Sequence, residues 1–303
     1  MRRIIRAAAI LLAALLCACG IAEEAALYTE NEWNYVDYAM DITGGIPEDA
    51  TGVLMRIRET GVLRVATEPY FPPQEFIDPA LEGQAAYVGA DMALARWIAK
   101  RMDVTLEIVP MDFSRVLEAV AEGECDLAIS ALSYTPERAG RVTLSKGYYF
   151  TEDNAVTGLM IRQSDAAALT DVASLDGHDI AAQSRSLQEA LMAEHMTGYR
   201  QFLRLPSMQA VYEALQTGAA DAAAVNQETA QSYLQSNPDS GLTLMPGVGF
   251  ELEPQFEGDR VAARQGEYML IAFVNGVIDE VRASGDYDLW IQAAQRRAEA
   301  LGM

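Results

Sequence analysis

The sequence contains few basic residues for its length. Over 303 residues, 22 lysines and arginines stand against 44 aspartates and glutamates, which gives a formal net charge of −22 at pH 7. A nucleic-acid-binding surface needs an extended basic face to meet the phosphate backbone, and the short arginine clusters here do not form one. The composition therefore argues against a nucleic-acid partner. Acidity of this kind favours solubility and repulsion between molecules.

Cysteine is also scarce. The chain has three cysteines, and two of them, Cys17 and Cys19, lie close to the amino terminus, which leaves Cys125 alone in the body of the protein. A single cysteine can form neither an internal disulfide nor a zinc site built on cysteines. We expect Cys125 to behave as a small buried apolar residue.

The motifs of several common enzyme classes are absent. The chain has no Gly-x-Gly-x-x-Gly pattern, no phosphate-binding loop, no His-Glu-x-x-His and no Gly-x-Ser-x-Gly. Its two histidines, His178 and His195, lack the spacing of metal ligands. We therefore expect no metal, no cofactor and no catalytic residues, and we interpret both histidines as structural.

Residues 1–18 have the pattern of a secretory signal peptide, with arginines at the start and an apolar stretch at 7–16. The sequence Leu16-Cys17-Ala18-Cys19 resembles the bacterial lipobox, in which cleavage before Cys19 leaves a lipid-modified cysteine. The alternative is a plain signal peptide with incidental cysteines. No later stretch reaches about 18 uninterrupted apolar residues, so we expect a lipid anchor to be the only membrane contact.

Residues 19–60 are interpreted as the anchor and an N-terminal extension. This segment is acidic and rich in turn residues at 43–47, but Tyr28, Trp33, Tyr35 and Tyr38 make it too aromatic for a simple tether. We expect it to pack on the body of the protein.

From residue 61 onward, short apolar strands alternate with amphipathic helices, which is typical of an α/β layer fold. The predicted strands are 62–67, 105–109, 126–130, 180–183, 200–205 and 222–226, and the predicted helices are 91–102, 114–122, 186–194 and 207–217. Ser114 and Ser207 stand at the expected N-caps, and Gly123 and Gly218 at the helix ends.

One sequence unit occurs twice. "VLEAVAEGECDLAIS" from Val116 and "VYEALQTGAADAAAV" from Val211 share a helix, a terminating glycine, an aspartate and a buried strand in the same order. The repeat predicts two lobes of similar architecture. Ligands of open α/β sheets bind beyond the carboxyl ends of the strands. This places residues 130–138 and Asn226 at the facing mouths of the two lobes.

The stretch "ISALSYTPERAGRV" at 129–142 has the features of an anion site. Thr135 is placed as an N-cap and Pro136 as the first helical residue, so Arg138 falls in the first helical turn. Backbone N–H groups there favour an anion, and the guanidinium can pair with a carboxylate. Ser130, Ser133 and backbone amides could complete the site. The alternative is an ordinary surface helix.

Four blocks of sequence carry a resemblance to a known family. They are "LRVATEPYFPPQEF", "VGADMALARWIAKRM", "VPMDFSRVLEAVAEGECDLAISALSYTPERAGRVTLSKGYYF" and "DGHDIAAQSRSLQEAL". Together they resemble the family 3 extracellular solute-binding proteins, the amino-acid receptors of ABC importers, from about Gly61 to the "GDYDLW" near the carboxyl end. The resemblance implies the type 2 periplasmic-binding-protein fold, with two α/β lobes joined by two hinge strands and closing over one small ligand. Lobe 1 would comprise residues 61–150 and 251–303, and lobe 2 residues 151–250.

The resemblance also implies roles for individual residues. Arg138 matches the clamp for the ligand α-carboxylate, assisted by Ser133 and by the backbone near Ala131. Phe71 and Phe113 match aromatic walls that enclose the ligand, with ordinary core packing as the alternative.

Glu68 matches an acidic position that faces the ligand side chain in some members. It is a weak indicator of specificity, since the same acid occurs in receptors for different ligands.

Two positions depart from the family pattern. The second lobe usually presents Gly-Thr after its first strand and an aspartate at the end of its third, whereas this chain has Arg185-Ser186 and Asn226. Asn226 brings no charge to an α-ammonium group, which suggests a ligand without a free α-ammonium, or one with an extra anionic group that meets Arg185. The alternative is that Glu228 or Glu68 supplies the charge, or that Arg185 points to solvent.

The sequence thus predicts a monomeric, lipid-anchored receptor outside the cytoplasm. It would bind an amino acid or a related carboxylate-bearing solute and deliver it to an ABC transporter permease. The alternative from another class is a secreted dehydratase of arogenate or prephenate on the same scaffold, with Glu68 as the acid placed over the ring.

Overall fold

A computed structural model describes residues 35–150, 157–250 and 257–303. The predicted signal peptide, Cys19 and both connections between the lobes, 151–156 and 251–256, lie outside the described residues. The strands are β1 (Val62–Thr67), β2 (Tyr70–Phe71), β3 (Glu75–Ile77), β4 (Tyr87–Val88), β5 (Thr105–Pro110), β6 (Leu127–Ser133), β7 (Val142–Tyr149), β8 (Thr157–Arg162), β9 (Asp179–Gln183), β10 (Gln201–Leu205), β11 (Ala222–Asn226), β12 (Leu242–Phe250) and β13 (Asp259–Arg264). The α-helices are α1 (Gly52–Thr60), α2 (Ala90–Met102), α3 (Phe113–Ala121), α4 (Pro136–Ala139), α5 (Leu187–His195), α6 (Met208–Thr217), α7 (Gln227–Ser236), α8 (Tyr268–Ser284) and α9 (Asp286–Leu301).

The strands form two five-stranded sheets and a small three-stranded one. The first large sheet has the order β5-β1-β6-β13-β7, with β13 antiparallel to both of its neighbours. The second has the order β10-β9-β11-β8-β12, with β8 antiparallel to both of its neighbours. The first large sheet and the helices packed on it form lobe 1, and the second large sheet with its helices forms lobe 2. The chain passes between the lobes after β7 and again after β12, which confirms the predicted two-lobed α/β fold.

The two lobes repeat one arrangement. In lobe 1, α3 leads into β6, which pairs in parallel with β1. In lobe 2, α6 leads into β11, which pairs in parallel with β9. The two copies of the repeated sequence unit occupy these equivalent positions, so the predicted similarity of the two lobes is confirmed.

Most predicted strand and helix boundaries agree with the structure to within one or two residues. The Ser207 side chain caps α6 by accepting a hydrogen bond from the backbone N–H of Ala210 at 3.2 Å, and Gly218 ends that helix in the left-handed conformation. The N-cap predicted at Ser114 is wrong. The extended residue at the start of α3 is Asp112, and Ser114 lies inside the helix.

Lobe 1 has a core on each face of its sheet. Leu127 and Ile129 of β6 pack into a cluster with residues of α2 and α8, whereas Ala128 and Leu132 pack with residues of α3 on the other face. A central strand that is buried on both faces carries a continuous apolar run, which explains the sequence of β6. Cys125 belongs to the α3 cluster, and burial raises the pKa of its thiol to about 11, as expected for a small buried residue.

The segment before lobe 1 packs along it. The side chain of Asn275, fully buried in α8, donates hydrogen bonds to the carbonyls of Val36 at 2.7 Å and Tyr38 at 2.9 Å. The same side chain accepts one from the backbone N–H of Lys146 at 2.9 Å. Residues 35–60 are therefore part of the folded body. Of the helices in the described part of the chain, none combines the length and the apolarity needed to span a bilayer.

Candidate ligand-binding site

A cavity lies between the lobes at the ends of their central strands. It contains about 810 Å³ of empty space, counting the solvent at its open mouth. Nine of the ten residues predicted from the sequence line it: Glu68, Phe71, Phe113, Ser130, Ala131, Ser133, Arg138, Ser186 and Asn226. The tenth, Arg185, does not line this cavity.

Arg138 is held at the cavity by the short helix α4. The Thr135 hydroxyl accepts a hydrogen bond from the backbone N–H of Arg138 at 3.1 Å, and Pro136 is the first helical residue, as predicted. The guanidinium donates to the carbonyl of Ser133 at 2.7 Å and, across the gap between the lobes, to the carbonyl of Arg185 at 3.1 Å. A guanidinium has five N–H donors, so these two contacts leave donors for a ligand anion.

The electrostatics of Arg138 suit it to bind an anion. Its side chain is 7% exposed, and burial lowers its pKa to about 10, which leaves it positively charged at neutral pH. The guanidinium lies 5.7 Å from the centre of the Phe113 ring, within the distance of a cation–π contact. Phe113 thus forms a wall beside the arginine.

The amino end of α5 meets the same cavity from lobe 2. The Ser186 hydroxyl caps α5 by accepting from the backbone N–H of Glu189 at 3.0 Å, and the next two residues, Leu187 and Gln188, line the cavity. The first N–H groups of a helix favour negative charge. Arg138 and this helix end therefore offer a carboxylate one charged and one dipolar partner on opposite lobes.

The groups near Ser130 and Ala131 are engaged within the protein. The Ser130 hydroxyl donates to the Glu75 carboxyl group at 2.9 Å and accepts from the backbone N–H of Glu68 at 3.1 Å. The backbone N–H of Ala131, a residue with the left-handed φ of 45°, donates to Asp91 at 2.8 Å. These two residues therefore form part of the cavity wall, and their polar groups bond to other protein groups that stabilise this wall.

A buried acidic network supports this wall, and no pattern in the sequence indicates it. Asp91 accepts hydrogen bonds from the hydroxyls of Tyr148 at 2.8 Å and Tyr287 at 2.7 Å. Burial, and then the charge of Asp91, raise the pKa of Glu75 well above its usual value. Burial also raises the pKa of Asp91, whereas the hydrogen bonds from Tyr287, from the backbone N–H of Ala131 and from Tyr148 lower it.

Glu68 lies at the cavity where the two lobes face each other. It is 1% exposed and accepts a hydrogen bond from the side-chain amide of Gln183, in lobe 2, at 3.1 Å. Burial, and then the negative charge of Asp112, raise the pKa of Glu68 to about 8. A positively charged group placed nearby would favour its ionised form.

The two positions that depart from the family pattern have other contacts here. The Asn226 side chain caps α7 by accepting from the backbone N–H of Thr229 at 3.0 Å. The Arg185 side chain turns away from the cavity, forms an ion pair with Glu118 of lobe 1 and donates to the carbonyl of Ser114 at 3.0 Å. The suggested contact between Arg185 and an anionic group of the ligand is therefore not supported by this geometry.

Asp259 is a cavity carboxylate that the sequence analysis missed, and Glu228 was considered only as an alternative source of charge. Asp259 begins β13, and Glu228 lies in the first turn of α7. Because β13 runs antiparallel to β6, its first residue lies beside the last residue of β6, and Asp259 pairs with Ser133.

The two histidines have structural surroundings. His178 approaches Asp221 at 3.2 Å, and His195 stacks on Phe250 with ring centres 5.0 Å apart. Within the described ranges, no group of three or more His, Cys, Asp or Glu side chains is arranged to hold a metal ion.

Comparison with known proteins identifies the family. Residues 63–293 match the pattern of the bacterial extracellular solute-binding proteins, family 3. The chain belongs to this family. A probable histidine-binding protein of Campylobacter jejuni is 27% identical over 236 residues, which cover 77% of this chain and 84% of that protein.

Solved structures share the fold. The amino acid ABC transporter substrate-binding protein AbpA of Streptococcus pneumoniae, bound to L-arginine, has a TM-score of 0.71 and 30% identity, covering 80% of this chain and 98% of that one. The ancestral amino-acid-binding protein AncCDT-1, a precursor of cyclohexadienyl dehydratase, has a TM-score of 0.68, with 80% and 99% coverage. At 22% identity, that second likeness is one of fold alone.

Proposed function

We propose that this protein is the substrate-binding receptor of an ABC importer, that it works outside the cytoplasm, and that it binds an amino acid with a positively charged side chain. The charges at the cavity carry this proposal. Among the described residues that line it, Arg138 is the one basic side chain, and four are acidic: Glu68, Glu75, Glu228 and Asp259. One fixed cation suits one ligand carboxylate, and the excess of acids suits a ligand with further positive charge.

The similar proteins support this choice. AbpA is described as bound to L-arginine and the Campylobacter relative as a probable histidine-binding protein. The geometry also favours the alternative in which neighbouring acidic side chains supply the negative charge that Asn226 lacks. The partner of the receptor would be the membrane permease of the same importer.

A binding screen tests the proposed function. A ligand that binds only the native state raises the apparent stability of that state. We expect L-arginine, L-lysine, L-ornithine or L-histidine to raise the melting temperature, and L-glutamate to have no effect. Calorimetry should then show that Arg138→Ala weakens binding by about thirtyfold to several thousandfold while the variant remains folded, because a buried charge loses its partner. A loss of affinity below about tenfold would show that another residue binds the ligand carboxylate.

We also propose that Cys19 is the lipid-modified amino terminus. The lipobox-like sequence supports this assignment. Cys19→Ala should release the protein from the membrane fraction, and metabolic labelling with a fatty acid should mark the parent protein alone. Retention of the variant in membranes, together with an unlabelled parent, would refute the lipid anchor.

One observation favours the enzymatic alternative. With a pKa of about 8, Glu68 holds a proton at neutral pH, as a general acid must. Incubation of the purified protein with arogenate and prephenate distinguishes the two functions. The receptor proposal expects no product, whereas turnover that disappears in Glu68→Gln would establish the dehydratase.

A further inference from the structure

The ammonium group of an amino acid needs a carboxylate partner in a closed cavity, and Asn226 does not supply one. The Asn226 amide oxygen already accepts the backbone N–H of Thr229 at 3.0 Å, and its side chain is neutral. Burial of an ammonium group without a charged or hydrogen-bonded partner is strongly unfavourable. Another cavity residue must therefore provide the negative charge.

We propose that Asp259, on lobe 1, receives the α-ammonium group of the ligand and that Glu228 faces the same group from lobe 2. This inference rests on the proposed function, since it assumes that the ligand is an amino acid. In this proposal, Asp259 at the start of β13 takes the role that the family aspartate has at the position of Asn226.

The register of the sheet places Asp259 where an α-ammonium group would lie. Asp259 pairs with Ser133 across the β6–β13 ladder, and both side chains line the cavity. Residues directly opposite each other in an antiparallel pair have Cβ atoms about 4.5–5.5 Å apart. The Ser133 carbonyl in turn holds the Arg138 guanidinium at 2.7 Å. A cation for the carboxylate and an anion for the ammonium therefore lie side by side, as the two groups do on one α-carbon.

The surroundings of Asp259 leave room for a cationic partner. Among the residues that the structure describes, none forms an ion pair or a side-chain hydrogen bond with its carboxylate. Burial, and then the charges of Asp91 and Glu228, raise the pKa of Asp259, while Arg138 and Arg260 lower it. An ammonium group between Asp259 and Glu228 would offset the repulsion between two carboxylates on opposite lobes.

The experiment compares ligands with and without the α-ammonium group. The probes are L-arginine and L-lysine, paired with δ-guanidinovalerate and ε-aminocaproate, which lack that group. In the parent, each amino acid should bind at least about thirtyfold more tightly than its deaminated counterpart. Asp259→Asn should remove most of this ratio by weakening the binding of the amino acids, while the affinity for the deaminated acids falls by at most about threefold. Glu228→Gln should reduce the ratio to a smaller extent.

Two variants serve as controls. Asp279→Asn removes a half-exposed carboxylate that pairs with Lys146 on lobe 1, and it should leave the ratio at the parent value. Asn226→Ala should weaken both members of each pair equally, because it removes a helix cap. Asp259→Ser, checked by circular dichroism, replaces Asp259→Asn if that variant does not fold.

Three results would overturn the inference. One is an unchanged ratio in both Asp259 variants, and another is an equal loss for both members of each pair. The third is a parent that binds the deaminated acids as tightly as the amino acids. A parent that binds none of the four probes and no other amino acid would instead refute the proposed function, and this inference with it.

Discussion

Arg185 of lobe 2 forms an ion pair with Glu118 of lobe 1, across the gap between the lobes and beside the ligand cavity. The same guanidinium donates to the carbonyl of Ser114 at 3.0 Å, and the backbone carbonyl of Arg185 accepts from Arg138. Arg185 adopts the left-handed conformation, with φ 63°, which favours glycine. An arginine at this position therefore tolerates an unfavourable backbone while its side chain joins the two lobes.

This contact predicts that Arg185 stabilises the closed form of the receptor. Arg185→Gly relieves the backbone and removes the ion pair, so stability to unfolding should not fall while ligand affinity decreases. Because Arg185 is exposed and salt screens such pairs, we expect a loss of about two- to fivefold at low ionic strength, which shrinks at high salt. Calorimetry at two salt concentrations measures the affinity, and stopped-flow measures the dissociation rate.

The control for this prediction is Arg204→Ala, which removes an ion pair with Glu189 inside lobe 2. It should change neither the affinity nor its dependence on salt. Combining Arg185→Gly with Glu118→Gln should add no further loss, because either change alone removes the pair. Full additivity of the two changes would show that they act independently.

The sequence predicts the cavity residues at the carboxyl ends of strands, but not the one at the start of a strand. Ser133 and Asn226 are the last residues of strands whose carboxyl ends face the cavity, and Arg138 follows the first of these strands. The rule for ligand sites in open α/β sheets predicts all three positions. Asp259 begins an antiparallel strand, so it reaches the same edge from the opposite direction. No local pattern around Gly258-Asp259 reveals that β13 inserts between β6 and β7.

Side-chain partners were also beyond prediction from the sequence. The hydroxyl of Ser130 was expected to face the ligand, and it is used by Glu75 and by the backbone of Glu68. Asp91 was recognised only as the start of a helix. Its partners Tyr148 and Tyr287 are 57 and 196 residues away in the chain, and contacts over such separations depend on the tertiary fold.

Ligand affinity should depend on pH through Glu68. A cationic ligand side chain favours the ionised form of this carboxyl group, whose pKa in the structure is about 8 because of burial and the charge of Asp112. Binding then releases a proton below pH 8. The affinity for L-arginine should therefore rise with pH from about 6 to 8, by at most about tenfold per pH unit, and level off above pH 8.

Calorimetry in buffers of different ionisation enthalpy counts the released protons. Glu68→Gln should lose the part of the pH dependence that is specific to L-arginine. L-citrulline, which has a neutral side chain of similar shape, should lack that part in the parent as well. An identical pH profile for the two ligands in the parent would show that Glu68 does not meet the ligand side chain.

The buried network around Asp91 should contribute to stability. Tyr287→Phe removes one hydroxyl donor from a buried carboxylate without changing the shape of the core. We expect the free energy of unfolding in urea to fall by about 1–3 kcal/mol, the usual result of leaving a buried polar group unsatisfied. Tyr70→Phe alters a ring that is 49% exposed and should leave the urea midpoint unchanged. Equal urea midpoints for both variants would show that the network does not contribute to stability.

The N-terminal segment 35–60 should be held to lobe 1 by Asn275. Asn275→Asp keeps an oxygen for the backbone N–H of Lys146 but loses both donors to the carbonyls of Val36 and Tyr38. Gly276→Ala tests the same contact by another route, because a methyl group there would overlap the carbonyl oxygen of Met40. Both variants should be cleaved faster by protease within residues 35–60, as measured by mass spectrometry of the fragments. Cleavage at the parent rate in both variants would show that packing of α1 alone retains the segment.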